Sequence, residues 1–276
     1  LSIPAATKGE QVKVRIGIAA ACLMIVSTPA VAWDVEPLST DRPDFVESSL
    51  TVGTMVFQFE AGVIGARTDL AAGRYEQYAT PFLLRFGVAK AWELRLETAG
   101  YLREELGGET DSGFADAALG VKWHSMDGGE VGSAKPSMAW LVHVDLGVGS
   151  KAFRIAGAQP SLRGVAEWAF TEKLAFGTMF GLRYNKSDDE NRYTAGIFGA
   201  VLGFSFTDRF RGFVEFAAPQ IASADDGGNI MTWDLGVAYL ISPDWQVDGS
   251  VAFGANDNSL DFLWAVGLSG RFGARE

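Results

Sequence analysis

"MTWDLGVAYLISPDWQVDGSVAF", residues 231–253, reads as two β-strands and the turn that joins them. On the first arm Met231, Trp233, Leu235, Val237 and Tyr239 fall on one side, and Asp234, Gly236 and Ala238 on the other. On the second arm Trp245, Val247, Val251 and Phe253 oppose Gln246, Asp248 and Ser250. A period of two is the signature of a strand, and Ser242-Pro243-Asp244 supplies the turn chemistry between the arms. Soluble sandwiches alternate as well. The character of the two faces points instead to a membrane barrel. The apolar face is unbroken over about ten residues, the length a tilted membrane strand needs, and its ends carry aromatics. The opposite face mixes small residues with charges, which suits a crowded lumen.

The same pattern extends along the chain. Trp92, Leu94 and Leu96 oppose Glu93, Arg95 and Glu97; Met138, Trp140, Val142, Val144 and Leu146 oppose Leu141, His143, Asp145 and Gly147; Phe262, Trp264, Val266, Leu268 and Phe272 oppose Ser269 and Arg271. Trp92, Trp123, Tyr184, Tyr239, Trp245 and Phe272 stand at strand ends, where interfacial girdles lie. Twelve strands are expected, near 55–66, 75–88, 92–103, 113–124, 137–148, 161–170, 174–185, 192–206, 210–217, 230–241, 245–255 and 261–272. Four connections are tight, at 89–91, 171–173, 207–209 and 242–244, and each follows an even-numbered strand. Connections after odd-numbered strands are mostly longer and polar, as at 157–160, 186–191 and 220–229. Outer-membrane barrels have an even strand count, short periplasmic turns and longer external loops, and the parity matches. "SMDGGEVGSAKP" (125–136) is long where a short periplasmic turn is expected.

Composition agrees. Hydrophobic residues make up 48% of the 276, yet no apolar run reaches the length of a membrane helix. Mean hydropathy is +0.11. With a net charge of −11 and no basic stripe, the chain is a poor nucleic-acid binder. The N-terminus reads as a secretory signal over 1–32: Lys8, Lys13 and Arg15, then the apolar run 16–26, then Ala30-Val31-Ala32, with Trp33 as the expected first mature residue. The one cysteine, Cys22, lies inside the apolar run, and "LMIV" after it argues against lipidation.

"STDRPDFVESSLTVGTMVFQFEAGV" (39–63), the "TDRF" turn (207–210), "DAALGVKW" (116–123) and the closing "VGLSGRF" (266–272) resemble a family of bacterial outer-membrane barrels assigned to transport in the meta pathway of phenol degradation. The resemblance covers nearly the whole of the chain after residue 32. It implies a Gram-negative outer membrane as the location, with lipid and the barrel-assembly machinery as partners. It also implies uptake of small, aromatic or apolar solutes. Members end on an aromatic; here Phe272 is followed by a tail, 273–276.

"TDRPDFVESS" (40–49) precedes the first strand. Pro43 has no amide to donate and the charges would meet lipid at alternate positions, so the stretch is no membrane strand. Residues 33–54 are therefore expected to be either a solvated leader or a lumen plug. In the plug reading Arg42 meets lumen acids, Asp44 and Glu47 meet lumen arginines, and Phe45 fills space beside Asp41 and Pro43. The alternation over 55–272 assigns to the lumen the acids Glu60, Glu93, Glu97, Asp116, Asp145, Glu167, Glu215, Asp234 and Asp248. Its bases are Arg85, Arg95, Lys122, Arg163, Arg183, Arg211 and Arg271, with His143 among them. Opposed charges either hold a closed structural barrel shut or line a solute path. A third reading, a hydrolase, rests on His143 and Asp145 sharing a face. No G-x-S-x-G elbow accompanies them, and two histidines offer no metal-ligand spacing, so neither a catalytic residue, a metal nor a cofactor is expected.

Overall fold

The computed structural model describes residues 36–187 and 191–273. The expected signal, Cys22, the Trp33 start, part of the 186–191 connection and tail residues 274–276 lie outside them. The fold is a single antiparallel sheet of fifteen strands: β1 Val56–Leu70, β2 Gly73–Ala79, β3 Phe82–Ala89, β4 Trp92–Thr98, β5 Tyr101–Leu106, β6 Glu109–Phe114, β7 Ala117–Met126, β8 Ser137–Leu146, β9 Gln159–Thr171, β10 Leu174–Lys186, β11 Arg192–Ser205, β12 Phe210–Ile221, β13 Ile230–Ser242, β14 Trp245–Gly254 and β15 Phe262–Gly273. β15 pairs with β1 from Val56↔Gly273 to Arg67↔Phe262, which closes the sheet into a barrel with no free edge along that seam.

The barrel wall has twelve staves, because three are broken once each. β2 with β3, β4 with β5, and β6 with β7 are successive halves of single staves, interrupted at Thr80-Pro81, Ala99-Gly100 and Ala115-Asp116. The breaks lie side by side. Thr80 N donates to Ala99 O and Tyr101 O, and Ala115 N donates to Gly100 O. Pro81 has no amide with which to continue a ladder, and Gly100 takes φ 71°, a conformation that favours glycine.

The expected strand bounds shift at these staves. β1 runs on to Leu70 and turns back through 71–72, and β5 turns into β6 through Gly107-Gly108, both at positive φ. Two external connections are thus two-residue hairpins rather than loops; at Gly107-Gly108 the paired glycines at positive φ suit such a hairpin, whereas 71–72 turns on two alanines. The long connection after β7 is present and ordered. Gly132 N donates to Ala169 O at 2.8 Å and the Trp168 indole to Ala134 O at 3.0 Å, so it is folded against β9.

Outward faces carry Leu94, Leu119, Val142, Leu182, Leu202, Leu235 and Val266, all exposed as a lipid-facing band requires. At the end where the short turns lie, Trp92 stacks on Trp123 at 5.5 Å, and Phe59, Trp245 and Phe272 cluster. By the rule that short turns are periplasmic, this is the periplasmic end.

Candidate functional site: the occupied lumen

Residues 36–55 enter and leave the lumen at the periplasmic end. Leu38 N donates to Pro243 O at 2.7 Å on the way in, and Met55 N to Gly87 O at 2.8 Å on the way out. Between these points the segment forms a loop across the lumen, closed on itself by Ser48 N donating to Asp41 Oδ1 at 2.8 Å. The Arg42–Pro43 peptide is cis.

Strand alternation presents charged side chains inward on β1, β3, β4 and β7, and the loop meets them with two carboxylates. Asp41 Oδ2 lies 2.6 Å from Arg95 Nη1, 3.0 Å from Lys122 Nζ and 3.4 Å from Arg85 Nη1. Glu47 reaches Arg163 at 2.6 Å and Arg95 at 2.9 Å. Arg85 also holds Glu93 at 2.9 Å and Glu60 at 3.1 Å. Arg85, Lys122, Glu60 and Glu93 are fully buried. Buried charges persist only when paired and hydrogen-bonded, and these cations share the loop's carboxylates.

The lumen acids act differently: they accept backbone amides of the loop. Glu60 takes Asp41 N at 3.0 Å, Glu215 takes Phe45 N at 2.8 Å and Val46 N at 2.7 Å, Glu167 takes Ser49 N at 2.6 Å, and Glu93 takes Val52 N at 3.0 Å. A loop has no ladder to satisfy its own N–H groups, and each must find a partner when buried. Arg42 bonds Asp248 at 3.1 Å. Asp44 forms no ion pair among the described residues, and Arg211 donates to Gln246 at 2.6 Å.

Sequence alternation did not reveal the apolar side of the lumen. Leu141, Val165, Met179, Ile197 and Val201 face inward from β8 to β11 and surround Val46, with Phe45 and Phe213 against them. Each sits at the inward parity of its strand, so the signal was present. The charged residues beside them drew the reading towards a polar lumen.

The remaining inward residues lie above or below the loop. His143 Nε2 contacts Glu97 at 2.6 Å and Arg95 Nε at 3.1 Å, whereas Asp145 lies 3.8 Å from Arg183. His143 and Asp145 therefore do not form an orienting pair, and among the described residues no serine hydroxyl bonds His143. Asp234 sits opposite Glu215 in the β12–β13 register. Asp116 stands at the extracellular rim and accepts Gly149 N and Ile155 N, tying down the connection after β8. Arg271 is at the periplasmic mouth and bonds Asp244 at 3.0 Å and Glu36 O at 2.8 Å. There a cavity of about 1080 Å³ opens between the entering and leaving arms, lined by Ser39, Val52, Lys90, His124 and Arg271 among others. Asp127 borders it, and His124 Nε2 at 2.9 Å holds that carboxyl below its ordinary range.

A closed twelve-stave barrel with an outward apolar band, aromatic ends and a charged interior filled by its own N-terminal segment defines an outer-membrane β-barrel. The chain belongs to the family described as "Putative MetA-pathway of phenol degradation", whose model matches residues 40–272. Its fold is similar to that of an outer-membrane channel from Pseudomonas putida F1, at 10% identity and TM-score 0.62, over 82% of this chain and 98% of that one. The NanC porin is also similar, at 11% identity and TM-score 0.51, over 78% of this chain and 98% of the porin. No curated protein matches the chain.

Proposed function

We propose that the protein is a gated channel for small solutes of aromatic or apolar character, and that residues 36–54 are its plug. The observation that carries this reading is the way the loop is held. It is bound by side-chain ion pairs and carboxylate-to-amide bonds to the inner wall, and by no continuous strand pairing. Such contacts release in a group, because Asp41 and Glu47 share the same cations. The apolar patch around Val46 then offers a surface to an apolar solute once the loop has moved. The family's assignment to phenol degradation supports an aromatic cargo. The role is one of passage, with no chemical step. Export through the N-terminal signal, insertion by the barrel-assembly machinery and a lipid-embedded wall complete the reading.

Single-channel recording in a planar bilayer tests it. The parent is expected to show low conductance with brief openings, and a variant lacking residues 40–49 a steady, larger one. Equal, near-zero conductance in both would support a closed structural barrel instead.

A further inference from the structure

Burial falls off sharply above the plug. Side chains of the ion-pair layer are almost sealed, with Arg85 and Lys122 at 0% and Asp41 at 4% exposed, while on the extracellular side Asp145 is 28% and Arg183 34% exposed. Arg183 is on β10 three residues before its extracellular end. The carboxylate nearest to it among the described residues is Asp145, at 3.8 Å and without a hydrogen bond, and Glu97 acts on it from farther off. The other charges nearby are already engaged: Arg163 by Glu47 at 2.6 Å, and Glu97 by His143 at 2.6 Å and by Arg95.

The wall around Arg183 also collects unsatisfied polar atoms. Among the described residues, His143 Nδ1, Ser161 Oγ, Arg163 Nε, Arg183 Nε and Asn185 Oδ1 are buried without a hydrogen-bond partner, and all five lie on the adjacent strands β8, β9 and β10. His143 is in register with Ser161, and Ser161 with Arg183, so these side chains form a row. Buried polar atoms nearly always find partners, and several orphans on one patch indicate a polar group that completes them. Opposite Asn185 on β11 stands Tyr193, and opposite Arg183 stands Ala195. Directly opposed residues share a face, which sets an inward aromatic ring beside the arginine, with the small Ala195 next to both on β11.

We propose that Arg183, with Ser161, Asn185 and Tyr193, is a docking point for the carboxylate and ring of a small aromatic acid on the extracellular side of the plug. An arginine fork suits a carboxylate better than any uncharged group, and the tyrosine ring takes the aromatic body. The inference rests on the channel reading for its purpose but not for its test.

Equilibrium binding of radiolabelled benzoate to the purified full chain in detergent provides that test. Saturable binding is expected, with acetate and sulfate competing far less well. Arg183→Gln should weaken it by about tenfold or more, as loss of a charge-assisted bond does. Asp145→Asn, which frees Arg183 from its nearest acidic neighbour, should tighten it. Heat-modifiable migration on gels verifies that each variant is a folded barrel; should Arg183→Gln not fold, the sign of the Asp145→Asn effect decides. No saturable benzoate binding, undiminished binding by folded Arg183→Gln, or weaker binding by Asp145→Asn would overturn the proposal, and equal competition by acetate would remove the role of Tyr193. Entry of benzyl alcohol into proteoliposomes separates the two readings. Entry without benzoate binding sinks the docking point alone, and benzoate binding without entry sinks the channel alone.

Discussion

Asp41 is the residue on which the lumen loop turns. One carboxylate faces Arg85, Arg95 and Lys122 while closing its own loop through Ser48 N. Removing one partner of a buried ion-pair network leaves uncompensated charge, at roughly 3–5 kcal/mol. Asp41→Ala is therefore expected to unseat the loop and lower the thermal midpoint of the barrel. Asp69→Ala should do almost nothing, since the Asp69–Arg74 pair is solvent-exposed at 3.2 Å and exposed pairs contribute about 0–1 kcal/mol. Thermal melts of the two variants in the same detergent check this; matched midpoints would mean that the buried network does not anchor the segment. Arg42→Glu sets a second carboxylate against Asp248 and is expected to raise conductance part of the way towards that of the deletion, read by single-channel recording. The sequence made the charges legible because alternation fixes which side each one faces. It did not reveal who meets whom. That Glu215 and Glu167 bind backbone amides depends on the path of a loop with no periodicity, and nothing in residues 40–49 encodes that path locally.

At the scale of elements, β13 shows why the wall was readable. Leu235 is exposed to the lipid side between Val214 and Val251, while Asp234 points inward beside Glu215. Leu235→Arg should cost roughly 2–4 kcal/mol, the range for a base at mid-membrane depth. Asp234→Asn keeps a polar group in a polar place and should cost much less; denaturant titration into vesicles compares them, and equal losses would mean that the faces are reversed. The connections carry a companion expectation. A tag at Asp225-Asp226, on the short 3-10 turn Ala224–Asp226 between β12 and β13, should be labelled on intact cells, and one at Asp208 should not. The three broken staves were hidden to different degrees. The side-chain period runs straight through Thr80-Pro81 and gives no sign of that break. It reverses at Ala99-Gly100, with Glu93 and Arg95 buried before the break and Leu102 after it. It reverses again at Ala115-Asp116, where Gly113 stands opposite Leu102 and Ala118 and Lys122 are buried beyond. The 125–136 connection was visible as an anomaly, but its anchorage on Ala169 and Trp168 is a tertiary contact beyond the reach of local pattern.

For the whole molecule, closure and filling are separate achievements. The β1–β15 seam closes the barrel through backbone pairs from Val56 to Arg67, and none of those residues belongs to the loop. The filling joins two unlike walls: charged side chains on β1, β3, β4 and β7, with Arg163 of β9, meet Asp41 and Glu47, and apolar ones from β8 to β11 meet Phe45 and Val46. The mixed composition of "TDRPDFVESS" matches this division, so the fold class, the stave count and the unusual character of the segment were all open to a reader of the sequence. The two-walled lumen was written in the inward parity of Leu141, Val165, Met179, Ile197 and Val201 on consecutive strands, and the charged residues beside them masked it. A variant lacking residues 40–49 is accordingly expected to assemble and to migrate as a heat-modifiable barrel, because every stave and the seam remain. Water then replaces the loop's amides at Glu215 and Glu167 and its carboxylates at Arg95 and Lys122. The hydrated charges lose ion pairing but regain solvation, so the thermal midpoint should fall while the transition stays cooperative. An unfolded product that never becomes heat-modifiable would contradict the separation of closure from filling. The segment would then be a core that the wall folds around, and the buried cluster of Val46, Leu141 and Met179 would be the nucleus that holds β8 to β11 together.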